Sequence, residues 1–288
     1  MWRKNLREPS CNFYESQRIC IIWVIWKEKG CELPKNCLIY LHSLGTNQYE
    51  CIHLVPFLCN SDLALFSFDF PGCGISDGNM IPLDGSGVYD VYEAVSFLDR
   101  EFGFDKYSIW GRSMGASIAL HSVSMTKKFC CIISDSSFKN TRAIVEEQAK
   151  MNGFPRLFIY LLEPIIKREA YNILGSEIDN PQPLSEVPFS QTPLLMGHGK
   201  NDTFVSASQA YELYEQYGCS DKQLYIFDAR HNSSRPAQWY ETASRFLFRK
   251  MELPSQQRSY ASIYNYSQIH IGKKDQIIQE IGNPPKET

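Results

Sequence analysis

Gly111-Arg112-Ser113-Met114-Gly115 constrains the fold of this chain more than any other stretch. The apolar run Tyr107 to Gly111 leads into it, and the helix-forming run Met114 to Met125 follows it. A chain that passes from a buried strand into a helix across one residue needs a tight, strained turn with small residues on either side. Gly111 and Gly115 meet that need. Such a turn lifts the Ser113 hydroxyl clear of the sheet and sets it beside a helix N-terminus, where unpaired N–H groups and the helix dipole favour negative charge.

The surroundings agree with a strand-turn-helix reading. Runs at 18–27, 36–42, 63–70, 107–111, 129–134, 192–197 and 223–228 are rich in β-branched and aromatic residues. Several are apolar almost throughout, as expected of strands covered on both faces of a parallel sheet. Helical spacing recurs between them at 86–102, 114–125, 206–217 and 235–251. The alternation predicts an α/β fold with a mostly parallel central sheet and helices on both faces. The rhythm breaks at 138–191, where helical stretches (141–151 and 155–171) replace strands. An excursion of that length reads as a small helical cap inserted into a domain spanning 1–253. Residues 254–288 are polar and read as a flexible tail with a short helix near 276–281.

Composition excludes several functions. Lysine and arginine total 29 against 32 acidic residues, a net charge of −3, so the basic excess of a nucleic-acid binder is missing. The ten cysteines include no C-x-x-C pair, and most lie in apolar runs, so they read as buried thiols with no metal to hold. No run approaches the ~20 apolar residues of a membrane span, and the first residues lack the apolar core of a secretory signal. Together these point to a cytoplasmic protein without metal or cofactor.

Serine is a weak nucleophile until a base takes its proton, and the base needs an acid to fix its tautomer. Among six histidines, His231 follows the strand at 223–228 in the loop before the last helix. Asp202 follows the strand at 192–197 in Gly197-His198-Gly199-Lys200-Asn201-Asp202. Asp135, after the strand at 129–134, is the rival acid, although Asp135-Ser136-Ser137 also reads as helix capping. A tetrahedral intermediate further requires two N–H donors. One is the amide of Met114, the residue after the nucleophile. The other comes from the loop His42-Ser43-Leu44-Gly45-Thr46-Asn47, with Leu44 preferred and Ser43 the alternative. His42 reads as a loop support. Asp69-Phe70-Pro71-Gly72-Cys73-Gly74-Ile75-Ser76 reads as a structural turn, since the third glycine of a dinucleotide site is missing.

Taken together, LHSLGTN, FDFPGCGISDG, GRSMG, GHGKNDTFV and the later His231 resemble an α/β-hydrolase-fold serine hydrolase. The resemblance runs from about residue 18 to 251. Its flavour is similar to the serine-aminopeptidase-like and prolyl-oligopeptidase-like groups and to ABHD17-type and BEM46-like proteins. The resemblance implies Ser113, Asp202 and His231 as catalytic residues and small esters, thioesters or peptides as substrates. The chain departs from the family pattern at Ser43, where the first glycine of H-G-x-G is usual, and at Val205-Ser206, where V-P is usual. Cleavage of an ester or thioester through an acyl-enzyme is the leading expectation. A peptidase is the second, with Glu146, Glu147 or Glu163 of the cap available to hold a peptide amine. A binding protein without catalysis is the third. Phe154, Leu157, Phe158, Tyr160, Leu161 and Leu162 of the cap read as packing residues ahead of an acyl pocket.

Overall fold

The structure is a computed structural model that describes residues 21, 23–28, 32–58, 62–78, 81–83, 85–122, 128–154, 164–165, 167–169, 171–172, 183–254 and 266–271. Outside the described residues lie the expected start of the first strand at 18–20, most of the helix expected over 155–171, the side chains Leu157 to Leu162 and Glu163 singled out above, and the helix expected at 276–281.

The strands are β1 (Trp23–Glu28), β2 (Asn36–Leu41), β3 (Leu63–Phe68), β4 (Lys106–Arg112), β5 (Phe129–Asp135), β6 (Leu194–Gly199), β7 (Lys222–Phe227) and β8 (Tyr266–Ile271). They form one sheet in the order β7-β6-β5-β4-β2-β3-β1-β8. Pairs from β3 through β7 are parallel, whereas β1 runs antiparallel to both β3 and β8. The helices described over their full length are α1 (Val55–Leu58), α2 (Gly87–Glu101), α3 (Met114–Ser122), α4 (Thr141–Met151), α5 (Pro183–Glu186), α6 (Ala207–Gln216) and α7 (Ala237–Met251). A 3-10 helix, Gln48–Leu54, runs directly into α1.

Side chains alternate across the sheet and supply two cores. On one face Ile39, Leu41, Phe66, Ile109 and Met196 pack with Val91 and Leu98 of α2, Ile118 of α3 and Leu213 of α6. On the other, Leu38, Leu65, Trp110, Ile133 and Leu195 pack with Trp239, Ala243 and Leu247 of α7 and with Leu54 and Leu58. Each large apolar side chain buried this way contributes roughly 1.5–3 kcal/mol. That explains why the central strands are apolar at nearly every position.

The excursion after β5 contains no strand among the described residues, and α4 occupies the expected stretch. Asn140 caps α4 by accepting from the Ala143 N–H at 2.7 Å.

Part of the tail expected to be flexible forms a strand. Tyr266–Ile271 adds an eighth strand, pairing Val24 with Ile271 and Glu28 with Tyr266. The physical reason is that an added edge strand needs only main-chain donors and acceptors facing an open edge, so polar composition does not prevent it.

Truncating the chain after Pro254 should leave the β1 edge unpaired. The shortened protein should melt at least about 5 °C lower and scatter more light with rising concentration. Differential scanning calorimetry and light scattering measure this, and identical melting with no self-association would refute a contribution from β8.

Candidate active site

Ser113 occupies the single residue between β4 and α3, with φ at 50°. A side-chain-bearing residue adopts this left-handed backbone only when its surroundings impose it. The turn is fastened on both sides: Ser113 N–H donates to Asp135 O at 2.8 Å, and Ser117 N–H donates to Ser113 O at 3.0 Å. The flanking glycines are steric necessities. A Cβ on Gly111 would overlap the Gly115 carbonyl, and one on Gly115 would overlap the Leu41 carbonyl.

His231 and Asp202 come from loops after β7 and β6, as their chain order requires. The Ser113 Oγ lies 2.9 Å from His231 Nε2, and His231 Nδ1 lies 2.6 Å from Asp202 Oδ2. A carboxylate only accepts, so Nδ1 carries the proton and Nε2 presents its lone pair to the serine hydroxyl. The other Asp202 oxygen, Oδ1, accepts from the N–H groups of Phe204 at 2.9 Å and Val205 at 2.8 Å. Those two bonds aim Oδ2 at the histidine. All three residues are buried.

His198 stands behind this carboxylate. Its Nε2 donates to Val205 O at 2.9 Å and lies 3.5 Å from Asp202 Oδ2. Burial lowers its pKa below the ordinary histidine value and so disfavours the charged ring. Its hydrogen bond goes to the acid loop, so it supports Asp202 from behind.

The rival acid, Asp135, has another partner. Arg235 Nε donates to both Asp135 oxygens at 3.0 Å, and Nη2 donates to Ser136 Oγ at 3.0 Å. Nη1 of the same guanidinium donates to the carbonyls of Arg230, His231 and Ser233 at 3.0, 2.9 and 2.9 Å. Asp135 therefore orients the histidine loop through Arg235, while Asp202 meets the ring. Burial alone would raise the Asp135 pKa, but the Arg235 charge and hydrogen bonds outweigh it and hold the carboxyl below its ordinary value.

Leu44 lies exposed in the loop after β2, and Met114 lies buried at the start of α3. The Ser43 N–H is already committed to Glu50 Oε2 at 2.7 Å, so of the two amides considered in this loop Ser43 is occupied within the protein. His42 does support the loop: Nδ1 bonds Ser43 O at 2.9 Å, and Nε2 accepts from the Phe70 N–H at 3.2 Å. The turn after β3 is structural in the same way, since Asp69 accepts from the N–H groups of Gln48 at 2.6 Å and Ile75 at 3.0 Å. At the mouth of the site, the half-exposed Phe204 ring lies 5.0 Å from the His231 ring. Of the acidic cap residues, Glu146 pairs with Arg142 and Glu147 accepts from Ser206 N–H. Gln148 donates to the carbonyls of Thr203 and Phe204, so α4 is tied to the acid loop.

The strand order, the strained serine between strand and helix, and the loops that carry Asp202 and His231 define the α/β-hydrolase fold. A family model described as alpha/beta hydrolase fold matches residues 36–158. The chain is 25% identical over 215 residues to the uncharacterized membrane protein YNL320W of Saccharomyces cerevisiae, covering 73% of this chain and 69% of that protein. It is 22% identical over 237 residues to the human monoglyceride lipase, covering 72% and 78%. Among solved structures, the esterase Pf2001 of Pyrococcus furiosus superposes with a TM-score of 0.62 at 21% identity, covering 81% of this chain and 88% of that one. No helix among the described residues is long and apolar enough to cross a membrane.

The Arg235–Asp135 pair yields a stability prediction. Asp135→Asn leaves a buried guanidinium without its counter-charge and should cost about 3–5 kcal/mol. Because the folded pKa of Asp135 is depressed, the stabilisation is present above the ordinary carboxylate value and is lost as pH falls through the depressed one. The acid limb of the wild-type stability curve, at about pH 4 and below, should therefore flatten in the variant. Urea unfolding across pH measures both effects, and equal midpoints for the two proteins would contradict the assignment.

Proposed function

We propose that this chain is a serine hydrolase that cleaves a carboxylic ester or thioester through an acyl-enzyme on Ser113. The observation that carries this reading is the pair of hydrogen bonds linking Ser113 Oγ to His231 Nε2 and His231 Nδ1 to Asp202. In the reaction, His231 Nε2 takes the hydroxyl proton as Ser113 Oγ attacks the substrate carbonyl carbon. The tetrahedral oxyanion is held by the amides of Met114 and Leu44. Collapse breaks the bond to the leaving alkoxide or thiolate, which receives the proton from His231. Water then attacks the acyl-enzyme by the same route and restores Ser113. Asp202 stays ionised and holds the imidazolium.

The exposed Phe204 ring beside His231 gives the site an apolar edge, which suits an acyl group better than a charged peptide terminus. The peptidase reading has lost support at two of its three carboxylates, because Glu146 and Glu147 have partners within the protein; Glu163 lies outside the described residues. A cytoplasmic setting accords with the free thiols of Cys37, Cys51, Cys73, Cys130, Cys131 and Cys219.

The test compares acyl esters of rising chain length, an acyl thioester, and aminoacyl and peptidyl amides. Ser113→Ala should lower kcat roughly 10⁴-fold or more, and Asp202→Asn about 10³- to 10⁴-fold. Ester and thioester turnover without amide turnover is expected. Dominant amide cleavage would favour the peptidase, and wild-type rates equal to those of Ser113→Ala would favour the non-catalytic binder.

A further inference from the structure

We propose that Glu50 is a positioning residue that sets the Leu44 amide and the His231 loop in register with Ser113. This rests on the hydrolase reading above and adds a residue to it. Glu50 lies in the 3-10 helix after the oxyanion loop, with its side chain only 8% exposed. Its carboxylate has three neighbours. Ser43 donates twice, from N–H to Oε2 at 2.7 Å and from Oγ to Oε1 at 2.5 Å. Tyr40 Oη donates to Oε2 at 3.2 Å, and Arg112 Nη1 to Oε1 at 3.4 Å. Four donors fill the roughly four lone-pair directions of a carboxylate, so its orientation is fixed.

The consequence for Leu44 follows from peptide planarity. The Ser43 carbonyl and the Leu44 N–H belong to one trans peptide and point in opposite directions. Thr46 N–H and Oγ1 donate to that carbonyl at 3.2 and 2.8 Å, and His42 Nδ1 lies 2.9 Å from it. With Glu50 gripping the amide and hydroxyl of Ser43, every polar atom of that residue is held, and the Leu44 N–H is left one direction to face. Ser43 stands where the resembling family has glycine, and its hydroxyl is what gives Glu50 a second hold on the loop.

Arg112 extends the device across the site. Its Nη2 donates to His231 O at 3.3 Å while Nη1 meets Glu50. It also balances charge: an unpaired carboxylate seven positions from Ser43, yet bonded to it, would oppose a negative oxyanion nearby. The pair presents hydrogen bonds with little net field.

The experiment uses Glu50→Gln in the full chain. With the preferred ester, kcat should fall roughly 10- to 100-fold while KM stays within about twofold, a partial version of losing an oxyanion donor. Affinity for an alkyl boronic acid, which forms an anionic tetrahedral adduct on Ser113, should fall by a similar factor. A merely structural loss would lower the fraction of folded protein without changing boronate affinity per folded molecule. Adding Ser43→Gly to Glu50→Gln should cost no more than Glu50→Gln alone, because both break one strut. Unchanged kcat and boronate affinity in folded Glu50→Gln overturns the proposal. If that variant does not fold, Ser43→Ala decides in its place: about a threefold to tenfold loss of kcat is expected, and an unchanged kcat overturns it. Failure of the hydrolase reading itself is recognised separately, as a wild type no faster than Ser113→Ala on the same ester.

Discussion

The left-handed backbone of Ser113 is the constraint on which the site depends. Such a conformation costs a side-chain-bearing residue about 1–2 kcal/mol, and it persists because β4 and α3 are each anchored elsewhere. Their anchoring brings Gly115 against the carbonyls of Leu41 and His42. That contact fixes more than the turn. It sets the end of β2, and hence the loop bearing Leu44, against the first residues of α3, where Met114 begins. The serine and both amides assigned to the oxyanion thus share one close approach of main chain to main chain.

Two arginines repeat this logic on the histidine side. The His231 carbonyl accepts from Arg235 Nη1 and lies within reach of Arg112 Nη2. Each guanidinium is tied to a carboxylate at or beside the sheet, Asp135 or Glu50. Ion pairs placed out of water are weak evidence for stability, because desolvation offsets their attraction. Their effect here is geometric. A loop without regular structure is held at several carbonyls by planar forks whose own directions are set by carboxylates.

The sheet, the elbow and the hydrogen-bonded trio were legible in the sequence because each imposes local demands. Gly111 and Gly115 must be small, the central strands must be apolar on both faces, and Asp202 and His231 must follow particular strands in order. The supporting residues impose no such pattern. Arg112 meets Glu50 across 62 positions and Arg235 meets Asp135 across 100, and any surface ion would look the same in one dimension. Chain order favoured Asp202 over Asp135, since Asp202 follows the strand just before the one that leads to His231, although both follow strands of one sheet. The three-dimensional partner of Asp135, Arg235, shows what the rival carboxylate does instead. β8 was illegible for a different reason: its pairing is carried by the main chain, which every sequence possesses.

The position of β8 also sets an order of events in biosynthesis. A ribosome makes β1 before every other described element and β8 after α7, the last helix among the described residues. Ser113, Asp202 and His231 have all emerged before β8, the second neighbour of β1, exists. For that interval the growing chain carries all three side chains of the hydrogen-bonded trio and an open sheet margin at once. Closing the margin is a late act of its manufacture.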